Sequence, residues 1–304
     1  MEKTAVVIPS AGIGDALLMM IASHRLLQKG YRVITLHPLL SQLSDWFQGH
    51  YLQVMTDLAD ADLIVVQNDN SPKIAQLIGA YRSKLSVFYA SYNSRKHAPL
   101  SAMDQVFDET QPMAQNIAQG IAQLLKSQEM SKNNGLSPPR YLVHRLCKDR
   151  VILHPTSSKS EKNWLPAKFL KVARQLKDLG FAPIFAVSKQ ERNQWLHVEK
   201  LGFDLPIFDT LSNLAAYVYE SGYLIGNDSL IGHLASNLHI PTLIIADCEK
   251  RMKLWRPGWL QGAVVTPPTW VPNCKFCRLR KWKWKSLISS RRVISTFEDL
   301  SRSQ

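Results

Sequence analysis

Short β-branched apolar runs alternate with helix-length stretches along most of this chain, and that alternation constrains the fold more than any other feature. Residues 5–8 read as a strand, followed by a glycine turn and an apolar helix over about 15–28, closed by Gly30. Further strands are expected at 31–36, 62–66 and 85–89, with helices opening at Ser71-Pro72 and running over 113–126. The pattern restarts with a strand at 151–154 and a helix from Pro166 to about 179, stopped by Gly180. Then come a strand at 182–187, helices at 190–201 and 211–221, a strand at 223–226, a helix at 229–238 and a strand at 242–246. Strands separated by helices imply parallel sheets with right-handed crossovers.

The polar, Pro/Gly-rich stretch 131–139 reads as an interdomain linker, and 304 residues suit two domains. The expected architecture is α/β: two Rossmann-like lobes with parallel sheets facing a central cleft. The lobes span 1–140 and 141–285, and a tail over 286–304 packs back on the first lobe.

Composition narrows the setting. Hydrophobic residues make up 45 % and charged residues 20 %, which excludes wholesale disorder. Four cysteines cannot build a disulfide scaffold, so a reducing, cytoplasmic compartment is expected. No apolar run approaches the ~20 residues that span a bilayer. The run 4–22 is interrupted by Pro9, Gly12, Gly14 and Asp15 and does not read as a signal peptide.

The charge is uneven. Of a net +13, nearly all lies in residues 250–297, which hold twelve Lys or Arg, no Asp or Glu, and five of the eight Trp. Such a block implies a polyanionic partner. Within it, Lys281-Trp282-Lys283-Trp284-Lys285 alternates with period two. On a helix its two Trp would point to opposite sides, so an extended segment is expected, one that suits an anionic membrane surface. No recognised nucleic-acid-binding module is present, which argues against nucleic acid.

Three segments carry chemistry. Gly12-Ile13-Gly14-Asp15 lies at a strand-to-helix turn, where glycines admit a ligand and Asp15 is either a helix cap or a general base. Leu17 occupies the third glycine position of a dinucleotide fingerprint, so that reading fails. The loop from His154 to Trp164 gathers the hydroxyls of Thr156, Ser157 and Ser158 with Lys159 and Lys162 after a strand end. Gly226-Asn227-Asp228-Ser229 precedes a helix bearing His233 one turn on; Asp228 and Ser229 can cap it, and its first amides can hold a diphosphate.

Together these segments resemble glycosyltransferase family 9, the bacterial heptosyltransferases. The first resembles the family's Ser-x-Gly-Asp turn. The second resembles its Pro-Gly-x-Ser…Lys-x-Trp-Pro motif, through Lys162-Asn163-Trp164 and Pro166. Gly226-Asn227-Asp228-Ser229-Leu230-Ile231-Gly232-His233-Leu234-Ala235 is similar to its Gly-Asn-Asp-Ser-x-x-x-His-Leu-Ala motif. Residues 65–75 match a further segment loosely. The chain departs from the pattern at Pro9, at Thr156 after Pro155, and at Leu230-Ile231.

The resemblance implies a GT-B fold with an acceptor lobe followed by a donor lobe. It makes Asp15 the base, with Gly12 and Gly14 on the acceptor-side loop. Lys162, Thr156, Ser157 and Ser158 neutralise the donor diphosphate; Asp228, Ser229, Leu230 and His233 form its other wall, and Glu191 contacts the nucleoside. The implied reaction is inverting transfer of a sugar, heptose from ADP-heptose, to the inner core of lipopolysaccharide or a related lipid-linked saccharide, at the inner face of the bacterial inner membrane. Alternatives are another nucleotide-sugar donor, a protein acceptor, or an inactive relative that binds membranes. No cofactor or metal is expected: Cys274-x-x-Cys277 lacks further nearby ligands, and Asp60-Ala61-Asp62 reads as a polar turn.

Overall fold

The computed structural model describes residues 2–274 and 277–303. It divides into two compact units, Met1–Pro139 and Arg140–Gln304.

The first unit runs β1 (Thr4–Ile8), α1 (Ile13–Gln28), β2 (Arg32–Leu36), β3 (Tyr51–Gln53), β4 (Leu63–Gln67), α2 (Pro72–Tyr81), β5 (Leu85–Tyr89), β6 (Gln105–Val106) and α3 (Met113–Leu124). Its sheet has the order β3-β2-β1-β4-β5-β6, with every pairing parallel. All five residues of β4 and of β5 are buried, as expected of strands covered on both faces. Helix α1 buries ten of its sixteen residues, all from Ala16 onward, and its first turn stays partly exposed.

The stretch 131–139 is not a loose tether. Asn134 is 1 % exposed and donates through Nδ2 to the Leu17 carbonyl (3.0 Å), while Ser137 N donates to the Trp46 carbonyl (2.8 Å). Its polar residues fasten it to the first unit.

The second unit runs β7 (Cys147–His154), α4 (Pro166–Asp178), β8 (Ala182–Phe185), α5 (Arg192–Trp195), α6 (His197–Lys200), α7 (Leu211–Tyr219), β9 (Ser221–Asn227), α8 (Leu230–Asn237), β10 (Thr242–Ile245), α9 (Glu249–Trp255), β11 (Ala263–Val265), α10 (Leu279–Leu287) and α11 (Ser290–Arg302). The sheet order is β11-β10-β9-β7-β8, again all parallel. The single helix expected over 190–201 is divided into α5 and α6.

Two expectations about the C-terminal segment are corrected. The tail expected to pack back on the first lobe is α11, a core element of the second unit. Val293, Ile294, Phe297 and Leu300 recur at helical spacing and are buried. Phe297 meets Phe181 and Tyr223 edge-on, with ring centroids 5.0 and 5.1 Å apart.

The Lys-Trp-Lys-Trp-Lys segment is helical rather than extended. Its two Trp do point apart, but one of them has a core to enter: Trp284 is 5 % exposed and Trp282 73 %. Trp164 Nε1 donates to the Lys285 carbonyl (3.0 Å), and Lys168 Nζ donates to the carbonyls of Lys285 and Ser286 (3.0 and 2.8 Å). A cation gathering the last carbonyls of a helix stabilises its C-terminus. Among the described residues no helix is long and apolar enough to cross a membrane.

Trp284→Ala is expected to destabilise the second unit by about 3–5 kcal/mol, as large-to-small core changes do. Trp282→Ala should change stability by less than about 0.5 kcal/mol. Urea unfolding of the two variants checks this, and equal losses would contradict the helical placement.

Candidate functional site

In open parallel sheets, ligands bind beyond the carboxyl ends of the strands where the strand order reverses. The first sheet reverses between β1 and β4, the second between β7 and β9. The sequence-expected residues Asp15, Thr156, Lys162 and Asp228 all follow one of these four strands.

At the first reversal, α1 begins at Ile13 with Gly12 in the capping position and no side-chain capping bond. Asp15 therefore does not cap, which corrects one of its two expected roles. Its Oδ1 accepts from Gln67 Nε2 (2.8 Å) at the end of β4, and Gln67 Oε1 accepts from Ser10 N (3.2 Å). Gln67 thus braces Asp15 across the reversal. The other oxygen, Oδ2, lies over Gly12, where an added Cβ would stand 2.6 Å from it. The glycine is needed for that close approach. Gly14 lies half-buried in the first turn.

His37, after β2, is buried nearby. Its Nδ1 accepts from Leu39 N (3.3 Å), so its proton sits on Nε2, which faces the Ala11 carbonyl at 3.2 Å. Burial lowers its pKa, and the Ala11 carbonyl and the Asp15 charge oppose the shift. No sequence signal marked His37, and Gln67 lay only in the loosely matching segment 65–75.

At the second reversal, Asn227 ends β9 fully buried, and its Oδ1 accepts from Trp164 N (3.0 Å). This bond fastens the loop after β7 to the end of β9. The loop's 3₁₀ turn, Ser160–Lys162, then directs Lys162 Nζ onto Asp228 Oδ2 at 3.0 Å. Thr156 Oγ1 donates to Glu191 Oε2 (3.1 Å), which also accepts from Ser188 N and Oγ (3.1 and 2.6 Å). Glu191 therefore joins the loops after β7 and β8. Ser157 Oγ donates to Asn163 Oδ1 (2.7 Å), and Ser158 is exposed. His154 Nδ1 lies 2.7 Å from the Ala186 carbonyl, and burial lowers its pKa, which favours the neutral ring.

Asp228 and Ser229 were expected as caps of α8, and neither makes a capping bond. Ser229 occupies the capping position, but its Oγ is buried with no hydrogen-bond partner among the described residues. Asn227 Nδ2 is in the same condition. Leu230 starts α8. An added Cβ on Gly232 would meet Ile244 Cδ1 at 2.7 Å, so the glycine lets α8 lie close on β10. His233 is 6 % exposed and stands edge-on to Trp259, centroids 6.4 Å apart.

A residue outside every quoted motif completes this cluster. Arg251 in α9 places Nη2 3.3 Å from Asp228 Oδ2 and 2.9 Å from Asp247 Oδ1.

The five-residue membrane patch divides on the helix. Lys281, Trp282 and Lys283 are exposed, Trp284 is in the core, and Lys285 Nζ donates to the Ser160 carbonyl (3.0 Å). Cys274 and Cys277 exchange backbone bonds of 3.0 and 3.2 Å; residues 275 and 276 lie outside the described residues. Asp62 Oδ2 accepts from Thr4 N (2.7 Å), a turn contact at the start of β1. No group of three or more metal-ligating side chains occurs among the described residues.

Residues 76–246, more than half of the chain, match the model of glycosyltransferase family 9 (heptosyltransferase). No curated protein matches the sequence. Among solved structures, Escherichia coli ADP-heptose LPS heptosyltransferase II is similar at 16 % identity and TM-score 0.69, over 99 % of both chains. E. coli heptosyltransferase WaaC with ADP is similar at 12 % identity and TM-score 0.67, over 98 % of this chain and 99 % of that one. A family 9 glycosyltransferase from Veillonella parvula DSM 2008 matches at 16 % identity and TM-score 0.64, over 100 % and 98 %.

Asn227→Ala leaves the Trp164 N–H buried without its acceptor. Such a loss costs about 1–3 kcal/mol, so the urea midpoint should fall accordingly. An unchanged midpoint would contradict the role of Asn227 as the fastening between the two loops.

Proposed function

The chain belongs to glycosyltransferase family 9, and from that premise we propose that it transfers a heptose from ADP-heptose to a lipid-linked saccharide of the lipopolysaccharide inner-core class. The observation that carries the reading is the Lys162–Asp228 contact. It joins two motifs 66 residues apart at the strand ends where a sheet of this order binds its ligand. Asn227 Nδ2 and Ser229 Oγ, buried with no partner among the described residues, fit the same reading, because an anionic ligand would supply their acceptors.

The chemistry divides between the units. In the first, Asp15 acts as general base and takes the proton of the acceptor hydroxyl. That oxygen attacks the anomeric carbon of the donor sugar from the face opposite the diphosphate. The bond from the anomeric carbon to the diphosphate oxygen breaks, and its electron pair leaves with the nucleoside diphosphate. One displacement inverts the anomeric configuration. In the second unit, Lys162 and the first amides of α8 stabilise the charge developing on the leaving group. Thr156 and Ser157 have their hydroxyl protons engaged by Glu191 and Asn163 and shape the loop around the donor. No metal is required by this division of roles.

The acceptor reading is supported by the surface of the second unit. Trp270 and Trp282 are 81 % and 73 % exposed, and Lys281 and Lys283 are exposed beside Trp282. Interfacial Trp with lysine suits an anionic leaflet, and the protein works as a peripheral enzyme at the inner face of the bacterial inner membrane.

Asp15→Asn keeps an acceptor for Gln67 Nε2 but removes the base. Turnover of ADP-heptose with a lipid-linked core acceptor is expected to fall by about 10²–10⁴, with nucleotide affinity unchanged. Unchanged turnover would remove Asp15 as the base, and turnover only with UDP- or GDP-sugars would replace the donor.

A lysine near an anionic surface contributes about 1 kcal/mol, so Lys281→Gln with Lys283→Gln should weaken binding to anionic vesicles on the order of 30-fold. Equal binding to neutral and anionic vesicles would sink the membrane reading.

A further inference from the structure

The reading above gives the departing diphosphate one cation, Lys162, and the structure holds a second beside it. Arg251 Nη2 approaches the same carboxylate oxygen as Lys162 Nζ: Asp228 Oδ2 lies 3.3 Å from the first and 3.0 Å from the second. One carboxylate oxygen with two full positive charges on it resembles a phosphate oxygen in a phosphate site. The Asp228 side chain is 10 % exposed, whereas Lys162 and Arg251 keep 29 % and 30 % of theirs in contact with solvent. Both cations are thus open to an arriving ligand.

Arg251 is also anchored independently of Asp228. Its partner Asp247 stands four residues earlier and holds Nη2 at 2.9 Å. The two residues lie on the wall of a cleft of about 640 Å³, which Lys250, Lys253, Arg280 and Lys281 also line. An anion entering that cleft meets five cations, Arg251 included, against two carboxylates, Asp247 and Glu249. Asn227 Nδ2 and Ser229 Oγ, on either side of Asp228 in the chain, are buried donors with no acceptor among the described residues.

We propose that Arg251 is a second leaving-group cation. It exchanges Asp228 Oδ2 for an oxygen of the donor's distal phosphate, and with Lys162 it carries the charge that gathers there as the glycosidic bond breaks. The inference rests on the glycosyltransferase reading and adds a residue that no motif supplied. Arginine suits the task because its planar fork gives two parallel N–H bonds to a phosphate, while Asp247 holds the guanidinium as Asp228 is released. Lysine at this position would supply the charge without the fork.

The test compares a nucleoside diphosphate with its monophosphate, because only the former has the distal phosphate. The full chain is titrated calorimetrically with ADP, UDP and GDP, and the one that binds best is paired with its monophosphate. Arg251→Gln is expected to weaken the diphosphate at least ten-fold and the monophosphate less than two-fold. Arg251→Lys should recover part of the loss, and Lys200→Gln, an exposed lysine of α6 outside the cleft lining, should leave both affinities unchanged.

A fall of kcat in Arg251→Gln larger than the rise in KM would agree with a charge met in the transition state. Equal weakening of diphosphate and monophosphate, or no weakening of either, overturns the inference while the family reading stands. A wild-type chain that takes up no nucleoside diphosphate overturns the donor reading, and the inference with it. The thermal midpoint of each variant separates loss of fold from loss of the contact.

Discussion

The reversal of strand order in each parallel sheet is the constraint on which the rest of the molecule depends. Where neighbouring crossover connections diverge to opposite faces, the strand ends open a crevice that no helix covers. Both units exploit that geometry, with different strand orders. In the first, the glycine turn after β1 and the end of β4 meet there, so a carboxylate at the start of α1 is reached by Gln67. In the second, the loop after β7 and the end of β9 meet, and the backbone bond from Trp164 to Asn227 fixes the loop that carries Lys162.

Electrostatics then separates the two units. The first presents Asp15, whose Oδ2 accepts no hydrogen bond from a described residue, an arrangement suited to taking a proton. The second presents alternating charges: Lys162 and Arg251 on Asp228, and Arg251 again on Asp247. In the proposed reaction a ligand phosphate replaces Asp228 on both cations. Partly exposed pairs of this kind contribute little net stability, since solvent screening and desolvation offset much of the attraction. Under the proposed function they hold charge at a fixed place before the ligand arrives.

The strands were legible because β-branched runs flanked by glycine or proline leave few alternatives, and residues 85–89 were placed to the residue. The three motifs were legible because each is local, confined to the end of one strand and the connection or helix start that follows it. Gln67, His37 and Arg251 were not, because their partners lie 52, 26 and 23 residues away and only the sheet order brings them together. The C-terminal helices were hidden by composition. Dense Lys and Arg masked the apolar stripe of α11, and period-two alternation concealed that Trp284 has a core to enter while Trp282 does not. Asp15, Asp228 and Ser229 had local capping readings that the structure replaced, since their side chains turn toward residues distant in sequence or have no partner among the described residues.

The proposed function puts the donor nucleotide at the reversal between β7 and β9. Hydrogen exchange of the full chain, with and without saturating ADP, tests it most directly. Slowed exchange is expected in residues 155–163 and in the first turn of α8, with the strands of the first unit unchanged. Slowed exchange confined to the glycine turn after β1, with the loops of the second unit unaffected, would contradict it.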